Sequence, residues 1–481
     1  MLRLYNSLSG QIEDFIPLKD GEVRMYVCGP TVYDNPHLGH ARCYITWDVL
    51  YRYLKFKGLN VKYCRNVTDV DDKILNKSEK ENKTPAEITE HFYKVFKESM
   101  NNLNVLSPDI EPFATKTLGE MISIVKTLVE KGNAYEVDGN VYFRVKSFSE
   151  YGKLSKQPLE SLENGVRIDN SEHKENPLDF ALWKKDEKHG YNSPWGVGRP
   201  GWHIECSAMA RKHLGTTIDI HAGGADLIFP HHENEIAQSE CANGCTFARY
   251  WMHNGFVTIN NEKMSKSLGN FLTIDDLLKN YDANTIRLFI LTNHYRMPVE
   301  FCDESLMAAQ NGVKRLKNAI DNVIGFVGSN NLIKNISNSD TEKFTAVMDE
   351  DLNTSVALSV LFDVANKANK AKADNDKSAA LDAVSTLVEL SGILGFNFSE
   401  RNLSEEELTD VVNRLYAENE FLKDIARAET PAKTIEAFIA VRNDARKNKN
   451  WELADNFRKA LAKEGIILKD GQDGTVWSIE N

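Results

Sequence analysis

The sequence predicts an α/β protein: an open parallel sheet interrupted by an insertion, then a helical bundle, then a small α+β tail. Three observations carry this. An apolar strand, a helix and a second strand follow one another between Val23 and Val67, which is the unit that starts a parallel sheet. From about Asp303 the apolar pattern becomes helical and stays so. At the end, Ile466-Ile467-Leu468 and Thr475-Val476-Trp477 flank Asp470-Gly471-Gln472-Asp473-Gly474, a hairpin signal.

The elements follow in order. Val23 to Cys28 is a short strand ending at Gly29-Pro30, and a loop leads to a helix from about Leu38 to Lys57. Gly58 closes that helix, because glycine tolerates the left-handed backbone of a helix C-terminus. Val61 to Val67 is the next strand. Thr84-Pro85-Ala86-Glu87 starts a helix: Thr84 caps, Pro85 suits the first turn and Glu87 completes a capping box. Tyr135 to Val145 alternates around Asp138-Gly139, a hairpin signal. A charged stretch follows to about His189, and Pro194 to Gly201 reads as loop by composition. The sheet resumes near Ile218 to Gly224. Gly328 to Asp340 is a polar joint, Ser404 to Glu407 is a second capping box, and Thr430-Pro431 opens another helix.

The bulk numbers narrow the class. A chain of 481 residues needs two to four domains. Apolar content of 42% and charged content of 27% are those of a globular protein. No apolar run approaches the roughly 18 residues of a membrane span, and Met1 to Ser7 has no signal-peptide core. A cytoplasmic protein without membrane contact is therefore expected. Seven cysteines without an export signal point to free thiols, metal ligands or catalytic thiols rather than a disulfide framework. Net charge is −12, yet residues 442–463 hold seven Lys/Arg against three acids. A local basic patch thus sits in an acidic chain.

Two short segments carry chemistry. His37-Leu38-Gly39-His40 lies where a loop enters a helix, and a helix N-terminus offers unpaired N–H groups and partial positive charge to phosphate. Two imidazoles three residues apart can point into one space. Gly39 lets a flat base or backbone approach closely. Lys263-Met264-Ser265-Lys266-Ser267 offers two ammonium groups and two hydroxyls to pyrophosphate. Taken singly, the first segment is also compatible with surface histidines in a turn, and the second with a solvated loop. A third constellation is Cys28, Cys206, His231 and Glu235. His231 and Glu235 are four apart, so on a helix they share a face. Two thiolates, an imidazole and a carboxylate make a plausible zinc set; a buried free thiol and a core histidine remain the alternative.

Together the histidine and lysine segments closely resemble the paired signature of class I aminoacyl-tRNA synthetases. That resemblance implies a Rossmann-like catalytic domain whose His37 and His40 contact ATP phosphates. Lys263 and Lys266 would stabilise charge on the α-phosphate and on departing pyrophosphate. Pro30, Gly39, Gly224 and Asp226 resemble nucleotide contacts, with Asp226 facing a ribose hydroxyl. Magnesium would arrive with ATP.

Met25 to Asp34, Gly201 to Ser207 and Phe229 to Glu235 are similar to the cysteinyl-tRNA synthetases in particular, and the similarity spans nearly the whole chain. In that family Cys28, Cys206, His231 and Glu235 would hold one zinc ion that binds the substrate thiolate. Gly29, Thr68, Trp202 and His203 resemble its amino-acid pocket. A metal-bound thiol is deprotonated outright, whereas a serine hydroxyl is a harder, poorer ligand. No editing domain is then needed.

The resemblance divides the chain into a catalytic domain (1–116 and 201–250), an inserted connective domain (117–200) and a lysine-loop segment (251–302). A helical bundle (303–400) and an anticodon-binding tail (401–481) complete it. Arg446, Trp451 and Arg458 of the tail would contact tRNA. The expected enzyme is a monomer taking L-cysteine, ATP and tRNA(Cys). A ligase joining activated cysteine to an amino-sugar would share the zinc and ATP sites but lack the tail. A non-catalytic tRNA-binding regulator would have no need of His37, His40 and Lys266. Cys241 and Cys245 are read as incidental, and Cys43, Cys64 and Cys302 as buried thiols.

Overall fold

The computed structural model describes residues 1–157, 174–259, 262–263, 271–328, 331–398, 405–471 and 474–479. Met264 to Asn270, which includes Lys266, and the helix cap assigned to Ser404 lie outside the described residues. The chain divides into two compact units, Met1–Asn397 and Phe398–Asn481.

In the first unit the frame is a four-stranded parallel sheet with its helices. The elements are β1 (Glu22–Val27), α1 (Leu38–Phe56), β2 (Asn60–Arg65), α2 (Trp202–Leu214), β3 (Ile218–Gly224), α3 (Glu233–Asn243) and β4 (Ala248–Asn254). The strand order is β4-β3-β1-β2, and every pairing is parallel. The chain leaves β1 toward β2 on one side and later fills the other side with β3 and β4. A crevice therefore opens at the carboxyl ends of β1 and β3, where open α/β sheets bind ligands. Buried Val23, Met25, Tyr26, Val27, Ile218 and Ile220 make the sheet interior. This is the near-continuous apolar pattern of strands covered on both faces.

Between β2 and α2 lies the insertion. Its five antiparallel strands run in the order Ala134–Val137, Asn140–Phe143, Phe180–Lys185, Gly196–Pro200, Tyr191–Ser193. The expectation that Pro194 to Gly201 is loop fails, because Gly196–Pro200 is a strand paired on both edges. Composition misled for a physical reason. A Cβ at Gly198 would lie 2.4 Å from the Lys184 carbonyl oxygen and 2.4 Å from the Trp183 indole nitrogen. The glycine is there because the neighbouring strand and a buried tryptophan leave no room.

After β4, Val257–Ile259 pairs antiparallel with Glu262–Lys263 and parallel with Val299–Phe301. Four long helices follow: Asp303–Val327, Ser339–Asp349, Thr354–Ala373 and Lys377–Ile393. Each buries an apolar stripe, such as Leu306, Val313, Leu316, Ile320 and Val323 of the first. Of the cysteines read as buried, Cys64 is buried, while Cys43 and Cys302 are half-buried. Cys302 sits at the N-cap of the first long helix rather than on its apolar stripe.

The second unit has helices Glu405–Glu418, Pro431–Lys447 and Trp451–Lys463, then a hairpin of Ile466–Gly471 with Gly474–Ile479. Leu415, Leu422, Ile435, Phe438, Phe457, Leu461 and Ile466 form its core. Among the described residues, no helix is long and apolar enough to cross a membrane.

Candidate active site

The crevice holds a cavity of about 320 Å³. Among its lining residues are Cys28, Gly29, Pro30, His37, Gly39, His40, Trp202, Gly224 and Asp226. Gly29 has a steric reason to be glycine: a Cβ there would fall 1.6 Å from the Asn66 carbonyl oxygen. Its amide donates to Asn66 Oδ1 at 2.7 Å, which fixes the turn out of β1.

At the start of α1 the two histidines cap the helix reciprocally. His37 Nδ1 accepts from the Gly39 amide at 3.1 Å, and His40 Nδ1 accepts from the His37 amide at 3.1 Å. With Nδ1 committed as acceptor, the ring proton of a neutral imidazole must sit on Nε2. The cap therefore makes each ring a donor at its far edge. The rings lie 3.8 Å apart, centroid to centroid. The site thus combines two Nε2–H donors with the positive end of a 19-residue helix, a setting suited to phosphate.

The described residues before and after the lysine segment are tied to the lining of the same cavity. Val257 lines the cavity, and its strand pairs with the one that ends at Lys263. On the far side, the Leu38 amide donates to the Leu272 carbonyl at 3.0 Å and the Ile274 amide donates to the Pro36 carbonyl at 3.0 Å. Phe271 packs edge-on against His37 at 4.9 Å.

Behind Cys28 lies a buried donor cluster. Cys28, Cys206, His231 and Glu235 present ligand atoms that all lie within 4.8 Å of one another. Cys28 Sγ is 3.9 Å from Cys206 Sγ and 3.6 Å from Glu235 Oε1. His231 Nε2 is 3.6 Å from Cys206 Sγ and 3.0 Å from Glu235 Oε1. A tetrahedral zinc with bonds of about 2.3 Å to sulfur sets its two sulfurs about 3.8 Å apart. The donor types and spacing therefore fit zinc. His231 does not lie on α3 itself; it belongs to the turn Ile228–His232 that precedes it. Only Phe229 in that turn is non-helical and the backbone at His232 and Glu233 runs on into α3, so the one-face relation expected from the spacing holds and brings the two side chains together.

The electrostatics of this cluster are those of charges forced together. The hydrogen bond with Cys28 draws the Cys206 thiol down to about 6, against burial, which raises it. Burial and the same pairing hold the Cys28 thiol well above its usual range. Burial would pull His231 down, but the Glu235 carboxylate and Cys206 override it and raise it to about 10. Burial would raise Glu235, but His221 and His231 outweigh it and hold it at about 2. Two thiols and a carboxylate in contact favour a cation between them.

The remaining pocket residues divide. Trp202 is exposed, and its ring lies tilted against His231 with centroids 4.3 Å apart. His203 Nδ1 lies 2.9 Å from His231 Nδ1. Thr68 is buried behind the cavity wall, where its hydroxyl donates to Glu205 Oε2 at 2.8 Å. Sequence reasoning missed His221 and His232, whose Nε2 atoms lie 3.5 and 3.2 Å from Cys28 Sγ. They form a second possible donor set with Cys28 and Glu235. The repeated histidine in His231-His232 was the one signal for this. Cys241 and Cys245 are free and belong to neither cluster.

Arg446, Trp451 and Arg458 lie in the second unit. Trp451 opens its helix and is 59% exposed. Arg458 is exposed. Arg446 is tied to Asp470 at 2.5 Å, so it begins paired rather than free.

Residues 14–311 match the family described as the class I (C) tRNA synthetase catalytic domain, and residues 343–399 match the DALR domain. Among curated proteins, a cysteine–tRNA ligase of Geobacter sulfurreducens is 46% identical over all of both chains. That of Hahella chejuensis is 45% identical over 99% of each chain, and that of Francisella tularensis subsp. tularensis is 46% identical over 98% of each. Among solved structures, Mycobacterium tuberculosis methionyl-tRNA synthetase in complex with methionyl-adenylate superposes with a TM-score of 0.57 at 17% identity. The match covers 78% of this chain and 90% of that one, a likeness of fold. Family match and full-length identity agree with the geometry at the crevice: the chain belongs to the cysteine–tRNA ligases, class I aminoacyl-tRNA synthetases.

Proposed function

We propose that the chain activates L-cysteine with ATP and then passes the cysteinyl group to the 3′ end of tRNA(Cys). In the first step the cysteine carboxylate attacks the α-phosphorus, cysteinyl-adenylate forms and pyrophosphate leaves. In the second, the terminal ribose hydroxyl of tRNA attacks the adenylate carbonyl and AMP leaves. No general base is needed for the first step, because the attacking carboxylate is already ionised.

His37 and His40 donate from Nε2 to the triphosphate, which the N-terminus of α1 also attracts. Lys263 and Lys266 neutralise the charge that grows on the α-phosphate and the leaving group. Donors aimed at developing charge are worth ~3 kcal/mol each in catalysis. Asp226, with Pro30 and Gly224 around it, takes the nucleoside side through a ribose hydroxyl; magnesium enters as the ATP complex. Gly29, Thr68, Trp202 and His203 surround the amino acid.

Cys28, Cys206, His231 and Glu235 would hold zinc, which when bound supplies the Lewis acid that takes the substrate thiol as thiolate. An apolar pocket separates substrates differing by one small group by only about 10- to 200-fold. A thiolate anchor exceeds that against serine. Arg446, Trp451 and Arg458 give the tail cationic and stacking groups for tRNA. Arg446 must first exchange its Asp470 partner for phosphate. The reading implies a monomer acting in the cytoplasm.

The observation that carries this reading is that Cys28 belongs to both halves of the site. It lines the phosphate cavity and is one of the four clustered donors. A thiol-anchored amino acid would then sit beside the triphosphate. The test is pyrophosphate exchange into ATP by the purified, zinc-loaded chain. Exchange dependent on cysteine and absent with serine is expected. Equal exchange with serine would remove the metal from the selection argument.

A further inference from the structure

Arg42 stands two residues after His40 and is 1% exposed, yet it lines the cavity. The four acceptors that hold it are main-chain carbonyls, all in one distant segment. Nη1 donates to Ile290, and Nη2 donates to His294, Tyr295 and Met297 at 3.0, 3.1 and 3.1 Å. Burying a guanidinium on carbonyls alone is costly compared with pairing it to a carboxylate. Helix packing by itself would be served by an apolar residue.

The segment it grips also touches a second stretch of the cavity lining, Asn254 to Val257. The Tyr295 carbonyl that accepts from Arg42 accepts as well from the Gly255 amide at 2.8 Å. Met297, a second Arg42 acceptor, sits with its carbonyl so close that a Cβ on Gly255 would fall 2.5 Å from it. Two residues further on, the Val299 amide donates to the Phe256 carbonyl at 3.0 Å. Asn254, Gly255, Phe256 and Val257 line the same cavity as His37 and His40. Val257 begins the strand whose partner ends at Lys263.

We propose that Arg42 is a positioning residue that holds the two walls of the ATP site in register. One fork joins the helix turn bearing His37 and His40 to the backbone that carries Gly255 to Ile259 toward Lys263. Lysine cannot replace it, because a single ammonium has three donors on a flexible stem and cannot span four carbonyls in a fixed plane. Misplacing a reacting group by 1 Å costs on the order of 100-fold in rate, so the effect belongs in turnover rather than in amino-acid binding.

The inference rests on reading the cavity as the ATP site, and the experiment separates the two. Zinc-loaded wild type, Arg42→Lys and Arg42→Gln are assayed for cysteine-dependent pyrophosphate exchange, with melting temperature and metal content measured alongside. Expected is a fall in kcat of about 10- to 100-fold in both variants, with KM for cysteine within about threefold of wild type. If Arg42→Gln does not fold, Arg42→Lys, which keeps charge and bulk, decides. A folded Arg42→Lys with undiminished kcat overturns the inference. Parallel losses in kcat and in cysteine affinity overturn it too, since they mark general disruption. A wild type without cysteine-dependent exchange defeats the ATP-site reading instead.

Discussion

Cys28 and His40 show how much depends on single side chains. Removing the Cys28 sulfur leaves three donors around a cation that needs four. Cys28→Ala should therefore lose its metal and its affinity for cysteine while still binding ATP, as read by metal analysis and by calorimetry with each ligand. Retention of full metal occupancy would show that Cys28 is not a ligand, which rules out both donor sets that contain it. His40→Asn should slow pyrophosphate exchange by about 100-fold, the loss of one aligned donor worth ~3 kcal/mol. Its effect on folding should be smaller, about 1 kcal/mol, the scale of a helix cap. At this scale the chemistry-bearing residue types were legible, because Cys, His and Glu at a strand end are few. The tautomer of His37 and His40 was not, since it follows from capping geometry. Nor was His232: that it reaches Cys28 as well as its neighbour reaching Cys206 follows from the wide turn Ile228–His232 and its kink at Phe229.

Elements were legible where one period dominated. The strand–helix–strand unit from Glu22 to Arg65 and the Asp138-Gly139 hairpin follow from apolar spacing and turn chemistry. Gly196–Pro200 did not, because its Gly198 answers to the neighbouring strand and Trp183 rather than to local preference. The C-terminal hairpin is held by a similar long-range contact. Buried Arg442 reaches Asp470 at 2.6 and 2.9 Å. The bond from Arg442, with Thr475 and Arg446 helping, keeps the Asp470 carboxyl well below the usual range despite the opposing pull of burial. A depressed folded pKa gives stability that is full above the unfolded value, about 3.9, and is lost as pH falls through the folded one. The unit Phe398–Asn481 should therefore melt at lower temperature as pH drops below about 4. Arg442→Ala should flatten that dependence. It should cost about 1–2 kcal/mol near neutral pH, discounted because Asp470 is 36% exposed and screened.

At the scale of the molecule, the division at Asn397 separates two chemistries. All residues proposed for activation lie before it, and the excess of lysine and arginine at 442–463 lies after it. A chain ending at Asn397 should exchange pyrophosphate at close to the full-length rate but charge tRNA(Cys) at least tenfold more slowly, because phosphate contacts supply much of RNA affinity. Unchanged charging would remove the tail from the account. The order of domains was legible from shifts in periodicity. The convergence of β1, α2 and the turn before α3 on one crevice was not, because it depends on strand order, which local patterns do not encode.

In the proposed activation, Cys28, Cys206, His231 and Glu235 present a metal to the thiol of the amino acid being activated. X-ray absorption at the zinc edge of the loaded protein, with and without cysteine, tests it most directly. Two sulfur neighbours are expected in the free protein and three when cysteine is bound, with no change on adding serine. A sulfur count that stays at two with cysteine bound would contradict it.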